Sequence, residues 1–114
     1  MFVNTKLNDG INRKLCVAPM MDWTDRHCRY FHRLLAPSAL LFTEMVTAEA
    51  ICYAENPERF FEHNAAEHPL VLQVGGSKPE KLYQAIKLAD DFGFSEFNLN
   101  VGCPSNRVQS GNFG

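Results

Sequence analysis

The sequence lacks paired cysteines. Its four cysteines stand far apart and form no CxxC motif: Cys16, Cys28, Cys52 and Cys103. Both the usual spacing of a metal site and the cysteine framework of a small secreted domain are therefore missing. The polar N-terminus, MFVNTKLNDGINRK, does not resemble a secretory signal either. We expect reduced thiols, no bound metal and a cytoplasmic protein.

Long apolar runs and a basic excess are also missing. No apolar run approaches the ~20 residues that span a bilayer, so we expect no membrane segment. The formal net charge is -2, whereas a compact nucleic-acid-binding domain often has a basic excess. Any contact with nucleic acid is therefore expected to be local. The 46% hydrophobic content is enough for the core of one domain and argues against disorder.

What the chain does have is an alternation of apolar runs and helical patterns. Strands are predicted over residues 15–20, 39–45, 69–74 and 95–101. Helices are predicted over residues 25–35, 47–54 and 79–92, with none after the last strand. Thr24 or Asp25 is expected to cap the first helix and Ser77 the third, and the apolar residues of each of these two helices fall at helical spacing on one face. This order predicts an α/β fold with parallel strands and right-handed crossovers. A doubly wound sheet and a (β/α)8 barrel both fit, although the first strand is not followed by the GxGxxG of dinucleotide-binding folds.

Polar or conformationally special residues follow the predicted strands. Ala18, Pro19 and Met20 end the first strand, and Thr43, Glu44 and Met45 end the second. Gln73 ends the third strand, and the fourth carries Asn98 and Asn100 before Cys103. In a barrel the carboxyl ends of all strands meet on one face, where barrel enzymes do their chemistry. The pattern therefore favours a site at this face.

Four stretches together resemble one enzyme family. They read VAPMMDWTDRHCRYFHRLL, LFTEMVTAEAI, HPLVLQVGGSKPEKL and FNLNVGCPSNRVQSGNFG, in one continuous register from Leu15 to Gly114. They resemble the tRNA-dihydrouridine synthases, most closely the A-type bacterial enzymes. Any one stretch alone would be a weak signal, but their joint occurrence is highly specific. The chain departs from the family pattern at Asn106, usually aspartate, and at Asn112, usually basic.

The resemblance implies an FMN-binding (β/α)8 TIM barrel followed by a helical tRNA-binding domain. Such an enzyme reduces uridine to dihydrouridine in tRNA with electrons from NADPH, at D-loop positions 20 and 20a for the A type. Residues 1–14 would be an N-terminal extension, and residues 15–114 the truncated first half of the barrel, about four β/α units. The second half, the FMN-phosphate site and the helical domain would lie beyond Gly114. We expect a monomer at full length and an inactive fragment.

Cys103 is the predicted catalytic residue. Gly102 allows a close backbone approach to a ligand, and Pro104 stiffens the turn that presents the thiol. An ordinary thiol, with a pKa near ~8.5, is mostly protonated at neutral pH and can donate a proton. The resemblance implies that Cys103 protonates C5 of the uracil after a flavin hydride reaches C6. A packed, inert thiol is the alternative.

The resemblance also implies binding roles for five residues. Asn100 would contact the target uridine, and Gln73 would donate or accept a hydrogen bond at the flavin ring. Ala18, Pro19 and Met20 would contact FMN through backbone groups and an apolar floor. The residues alone leave alternatives open: an ordinary strand-end amide for Asn100, a buried structural glutamine for Gln73 and a plain strand end for the other three.

The remaining polar residues are expected to be structural. The four histidines are predicted to be surface or packing residues, and the thiols other than Cys103 to be packed. Arg26, Arg29 and Arg33 are predicted to form a solvated basic face of the first helix, with a phosphate contact as the alternative. Glu44 is expected to brace loops. Two functions compete with uridine reduction in tRNA: another FMN barrel of the dihydroorotate or dihydropyrimidine dehydrogenase type, and a non-catalytic RNA-binding remnant.

Overall fold

Strands and helices alternate along the chain, and a computed structural model describes residues 10–112. The strands are β1 (Cys16–Val17), β2 (Leu40–Phe42), β3 (Val46–Thr47), β4 (Leu70–Gly75) and β5 (Glu96–Leu99). The helices are α1 (Arg26–Leu35), α2 (Ala48–Tyr53), α3 (Pro79–Ala89) and α4 (Asn106–Ser110). Three 3₁₀ turns join them, at Pro57–Phe60, Ala65–Glu67 and Asp90–Phe92. The α/β class and the positions of the three predicted helices are confirmed.

All strand pairs are parallel, and their order follows the chain. β2 and β3 both pair with β4, with Leu41 opposite Leu70 and Val46 opposite Val74, so they are two pieces of one strand. β1 pairs with β2, and β5 pairs with the other side of β4. A doubly wound sheet reverses its strand order at a switch point. Consecutive order is that of a barrel wall, here open within residues 10–112.

The second strand is interrupted because the Thr43 side chain takes part in its hydrogen bonding. The Thr43 hydroxyl donates to the Glu44 carbonyl at 2.8 Å and accepts the Gln73 N–H at 3.1 Å. A side chain thus replaces a backbone carbonyl as the partner of that N–H. The predicted strand over residues 39–45 is therefore shorter than expected and resumes at β3.

The core lies between the sheet and helices α2 and α3. β4 is buried along its whole length. Its Leu72 packs in one cluster with Ile51 of α2 and with Ala85 and Ala89 of α3. The predicted apolar face of α3 is confirmed. Gly93 follows with φ of 78°, a left-handed conformation that glycine adopts without steric cost.

The prediction of a solvated arginine face on α1 is wrong for two of its residues. Arg29 and Arg33 are only 6% and 8% exposed. Arg29 Nε donates to Glu67 Oε1 at 2.6 Å, and Arg33 donates to several backbone carbonyls, including Ala39 at 2.7 Å. A guanidinium has five N–H donors, so the carbonyls around Arg33 can satisfy its hydrogen bonding away from water.

The apolar side of α1 is instead exposed. Phe31, Leu34 and Leu35 are 58%, 63% and 67% exposed, and Leu15 beside β1 is also exposed. Phe31, Leu34 and Leu35 are spaced three and four positions apart, so they share one side of α1. Contiguous exposed apolar surface of this kind marks a place where another protein segment packs.

Three smaller predictions also need correction. Ser77 does not cap α3, because its hydroxyl donates to the Gly111 carbonyl and the N-cap position belongs to Lys78. Cys16 is exposed rather than packed. A short helix, α4, does follow the last strand. Residues 1–9 of the predicted N-terminal extension, and residues 113–114, lie outside the described residues.

Candidate active site

A cleft of about 490 Å³ opens at the carboxyl ends of the strands. Five of the six predicted site residues line it: Pro19, Met20, Gln73, Asn100 and Cys103. The sixth, Ala18, lies just after β1 and outside the cleft lining. The structure therefore brings together residues that lie up to 84 positions apart in the chain, from Pro19 to Cys103. Their roles remain predictions.

Three amide side chains form a connected network in and beside this cleft. Gln73 lies opposite Asn98 in the register of β4 and β5, and its Nε2 donates to Asn98 Oδ1 at 2.7 Å. Asn100 Nδ2 donates to Gln73 Oε1 at 3.3 Å, and Asn100 Oδ1 accepts the Gly102 N–H at 3.1 Å. These bonds fix the orientation of each amide. They leave one N–H of Gln73 and one of Asn100 for a ligand, since a primary amide has two.

Cys103 stands at the cleft rim on the loop that follows β5. Its Sγ lies 3.3 Å from the Ser105 hydroxyl. Hydrogen bonds from the Ser105 side chain and then from its backbone lower the pKa of the Cys103 thiol, with burial opposing them. Hydrogen bonds to the thiolate stabilise the charged form, which is why the pKa falls.

The loop after β1 forms one wall of the cleft and is held at two points. The Thr24 hydroxyl, fully buried, accepts the Met20 N–H at 3.0 Å and donates to the Met20 carbonyl at 3.2 Å. Asp22 has a φ of 65°, which few non-glycine residues adopt, and its N–H donates to the Glu44 carboxylate. Glu44 therefore braces this loop, as the sequence analysis expected.

Four further residues line the cleft that the sequence analysis did not assign to it: Met21, Asp22, Met45 and Ser105. Met45 could have been found, because it ends the second predicted strand beside Glu44. Ser105 could also have been found, since serine is a preferred N-cap residue and stands two positions after the cysteine. The left-handed conformation of Asp22 has only a weak sequence signal, since aspartate adopts it more often than most non-glycine residues do.

The cleft residues fit a flat heteroaromatic ring. Met20 and the buried Met45 give apolar contact surface, and Gln73 presents an amide N–H from a position only 8% exposed. A flavin ring needs both, an apolar floor and a hydrogen-bonding group at its polar edge. These described residues can therefore hold the ring of FMN.

The histidines lie away from this cleft. His63 and His68 are half-buried, with their Nε2 atoms 2.9 Å apart, and burial and then the neighbouring His63 lower the pKa of His68. The sequence predicts surface or packing roles for all four histidines. A second cleft of about 430 Å³, between α1 and residues 62–67, contains His63 but none of the predicted site residues.

Within residues 10–112, no group of three or more His, Cys, Asp or Glu side chains is placed to hold a metal ion. No helix in that same range is long and apolar enough to cross a membrane.

Comparison with known proteins gives one family. Residues 16–114 match the family described as dihydrouridine synthase (Dus). The tRNA-dihydrouridine(20/20a) synthases of Vibrio parahaemolyticus serotype O3:K6 and Xanthomonas campestris pv. campestris are 59% and 60% identical over 101 residues, 89% of this chain. The enzyme of that name from Pseudomonas syringae pv. tomato is 55% identical over 105 residues, 92% of this chain. The chain spans about 30% of the length of these curated relatives.

Proposed function

We propose, since the chain belongs to the dihydrouridine synthase (Dus) family, that it carries part of the active site of an oxidoreductase that reduces uridine to 5,6-dihydrouridine in tRNA. The names of its relatives support tRNA positions 20 and 20a as the target. The observation that carries the proposal is the cleft, which joins a thiol to two oriented amides at the strand ends. We place the whole enzyme in the cytoplasm, as a monomer.

FMN is the proposed cofactor and NADPH the electron source. Pro19, Met20 and Met45 would contact the ring, the backbone of Ala18 would lie beside it, and the free N–H of Gln73 would bond its edge. The chemistry that bound, reduced FMN would supply here is the transfer of a hydride, with its two electrons, to C6 of the uracil. The cleft must therefore place the uracil against the ring with C6 facing it.

Asn100 and Cys103 would act on the uracil directly. The remaining N–H of Asn100 can donate to a carbonyl oxygen of the base and orient it in the cleft. Cys103 then donates its proton to C5: the S–H bond breaks, a C5–H bond forms and the C5=C6 double bond becomes single. The thiolate that remains takes a proton from solvent, which restores the acid for the next turnover.

The two competing predictions differ in what they require. Other FMN barrels act on free pyrimidines, and membership of the Dus family argues against them. A non-catalytic RNA-binding remnant would need no proton donor. That hypothesis therefore gives no reason for Cys103 to lie in one cleft with Gln73 and Asn100. No described feature favours either alternative.

A chimera tests the proposal. Residues 16–114 of this chain replace the matching segment of the Vibrio parahaemolyticus relative, and the chimera is expressed in a strain without its own 20/20a synthase. We expect dihydrouridine at positions 20 and 20a, measured by mass spectrometry of purified tRNA. The unmodified relative is the matched control. A soluble chimera that binds FMN but leaves both positions as uridine would contradict the proposal.

A further inference from the structure

We infer that Ser105 is a positioning residue for Cys103: its hydroxyl orients the thiol and then stabilises the thiolate left by proton transfer. The catalytic part of this inference rests on the proposed function. The contact itself does not, because it is a feature of the loop between β5 and α4.

The Ser105 hydroxyl is fixed from two sides. It lies 3.3 Å from Cys103 Sγ and accepts the Val108 N–H at 3.4 Å. The Ser105 carbonyl accepts the Gln109 N–H at 3.0 Å, so Ser105 directly precedes the first turn of α4. Val108 itself is fully buried. The serine side chain is therefore held at the thiol by an element that does not depend on a ligand.

A hydroxyl suits both protonation states of the cysteine. It has one proton to donate and two lone pairs to accept with. The Val108 N–H donates to one of these lone pairs. The second lone pair can accept a hydrogen bond from the S–H group of the resting thiol. After the proton moves to C5, the sulfur is negative, and the hydroxyl can rotate its proton toward it. Together with the Ser105 backbone, this lowers the pKa of the thiol and makes it a stronger acid.

Helix capping alone would not require this contact. Asparagine and aspartate cap helices as well as serine does, and glycine costs only a few tenths of a kcal/mol more. Three variants therefore separate the two roles. Ser105→Ala removes both the cap and the hydroxyl, Ser105→Gly removes the hydroxyl but is tolerated at a cap, and Ser105→Thr keeps both.

The test is the pH dependence of alkylation by iodoacetamide, resolved by mass spectrometry for each cysteine-containing peptide of the full chain. Only the thiolate reacts, so the midpoint reports the pKa of Cys103. We expect the midpoint to rise in Ser105→Ala and Ser105→Gly and to stay near wild type in Ser105→Thr. The midpoint is the readout rather than the rate, because a thiolate of higher pKa is also more nucleophilic. The exposed Cys16 serves as internal control and should be unchanged.

Two results would overturn the inference. One is an unchanged Cys103 midpoint in both the alanine and glycine variants. The other is a parallel change at Cys16, which would show that Ser105 acts through the fold alone.

The chimera separates this inference from the proposed function. An acid is active when protonated, so activity falls as pH rises through the pKa of Cys103. In Ser105→Ala this fall should move to higher pH, and dihydrouridine formation on the plateau should drop by less than the ~10²–10⁴-fold expected for losing the acid itself. An alkylation shift without any change in the activity profile would count against Cys103 as the acid, and so against the proposed function.

Discussion

Glu67 is predicted to be the most sensitive carboxylate in the described fold. Its side chain is 1% exposed and accepts from Arg29 Nε at 2.6 Å and from the Asn64 N–H. Arg29 also donates to the Thr24 carbonyl at 2.8 Å, and the Thr24 hydroxyl holds the Met20 loop at the cleft. Glu67→Ala would therefore disturb the core and one wall of the cleft together.

The expected loss is large because the arginine would stay behind. Removing one partner of a buried ion pair typically costs about 3–5 kcal/mol, since the other charge is left uncompensated. Loss of the hydrogen bond from the Asn64 N–H to this carboxylate adds about 1 kcal/mol. Single domains are stable by only about 5–15 kcal/mol, so the variant should lose a large share of its stability. The melting temperature should fall by on the order of 20 °C.

Urea unfolding of the chain at low micromolar concentration, followed by far-UV circular dichroism, measures this loss. Glu62→Ala is the matched control, because Glu62 is an exposed glutamate in the same segment; it should change the free energy of unfolding by less than about 0.5 kcal/mol. The double variant Arg29→Met with Glu67→Leu should recover most of the loss, because apolar side chains can replace a buried pair. If Glu67→Ala lowered the free energy of unfolding no more than Glu62→Ala does, the ion pair between Arg29 and Glu67 would not stabilise the fold around the Met20 loop.

Three further predictions follow from the site and the surface. In the chimera, Gln73→Ala should weaken FMN retention, while Asn100→Ala should keep the flavin and impair tRNA turnover; the reverse pattern would interchange their roles. Because burial lowers the pKa of His68, the unfolded chain binds more protons, and the free energy of unfolding should fall as pH drops below ~6.5. A His68→Gln variant should show a smaller fall, and an equal fall would exclude His68 as its source. The exposed apolar side of α1 should make the chain self-associate with rising concentration in sedimentation velocity, and Leu34→Lys should reduce this; equal association of both chains would point to another surface.

The element order and the convergence of the cleft residues could be predicted from the sequence because both depend on local patterns. Asp25 is the observed N-cap of α1, and apolar spacing located α3. Strand ends identified Gln73 and Asn100, since the carboxyl ends of parallel strands must meet at one edge.

The burial of Arg29 and Arg33 could not be predicted in this way. Several of their partners, the carboxylate and carbonyl of Glu67 and the carbonyl of Pro69, lie 34 to 38 positions away in the chain and meet the helix only in the folded state. On a helical wheel, the opposite side of α1 is the apolar one. The helix pattern alone therefore suggested the wrong buried face.

The interruption of the second strand had a different cause. It depends on one hydroxyl, that of Thr43, accepting a backbone N–H from β4. Threonine is common in regular strands, so its presence in the sequence carried no signal of a break.

The claim that Cys103 is the acid is tested most directly by separating the two halves of the reaction in the chimera. NADPH first reduces the flavin, and only uridine reduction then needs a proton at C5. Cys103→Ala should bind FMN and undergo flavin bleaching by NADPH in stopped flow at a near-normal rate, while single-turnover dihydrouridine formation falls by ~10²–10⁴-fold. Unimpaired dihydrouridine formation, or an equal loss in both halves, would contradict the assignment of Cys103 as the proton donor.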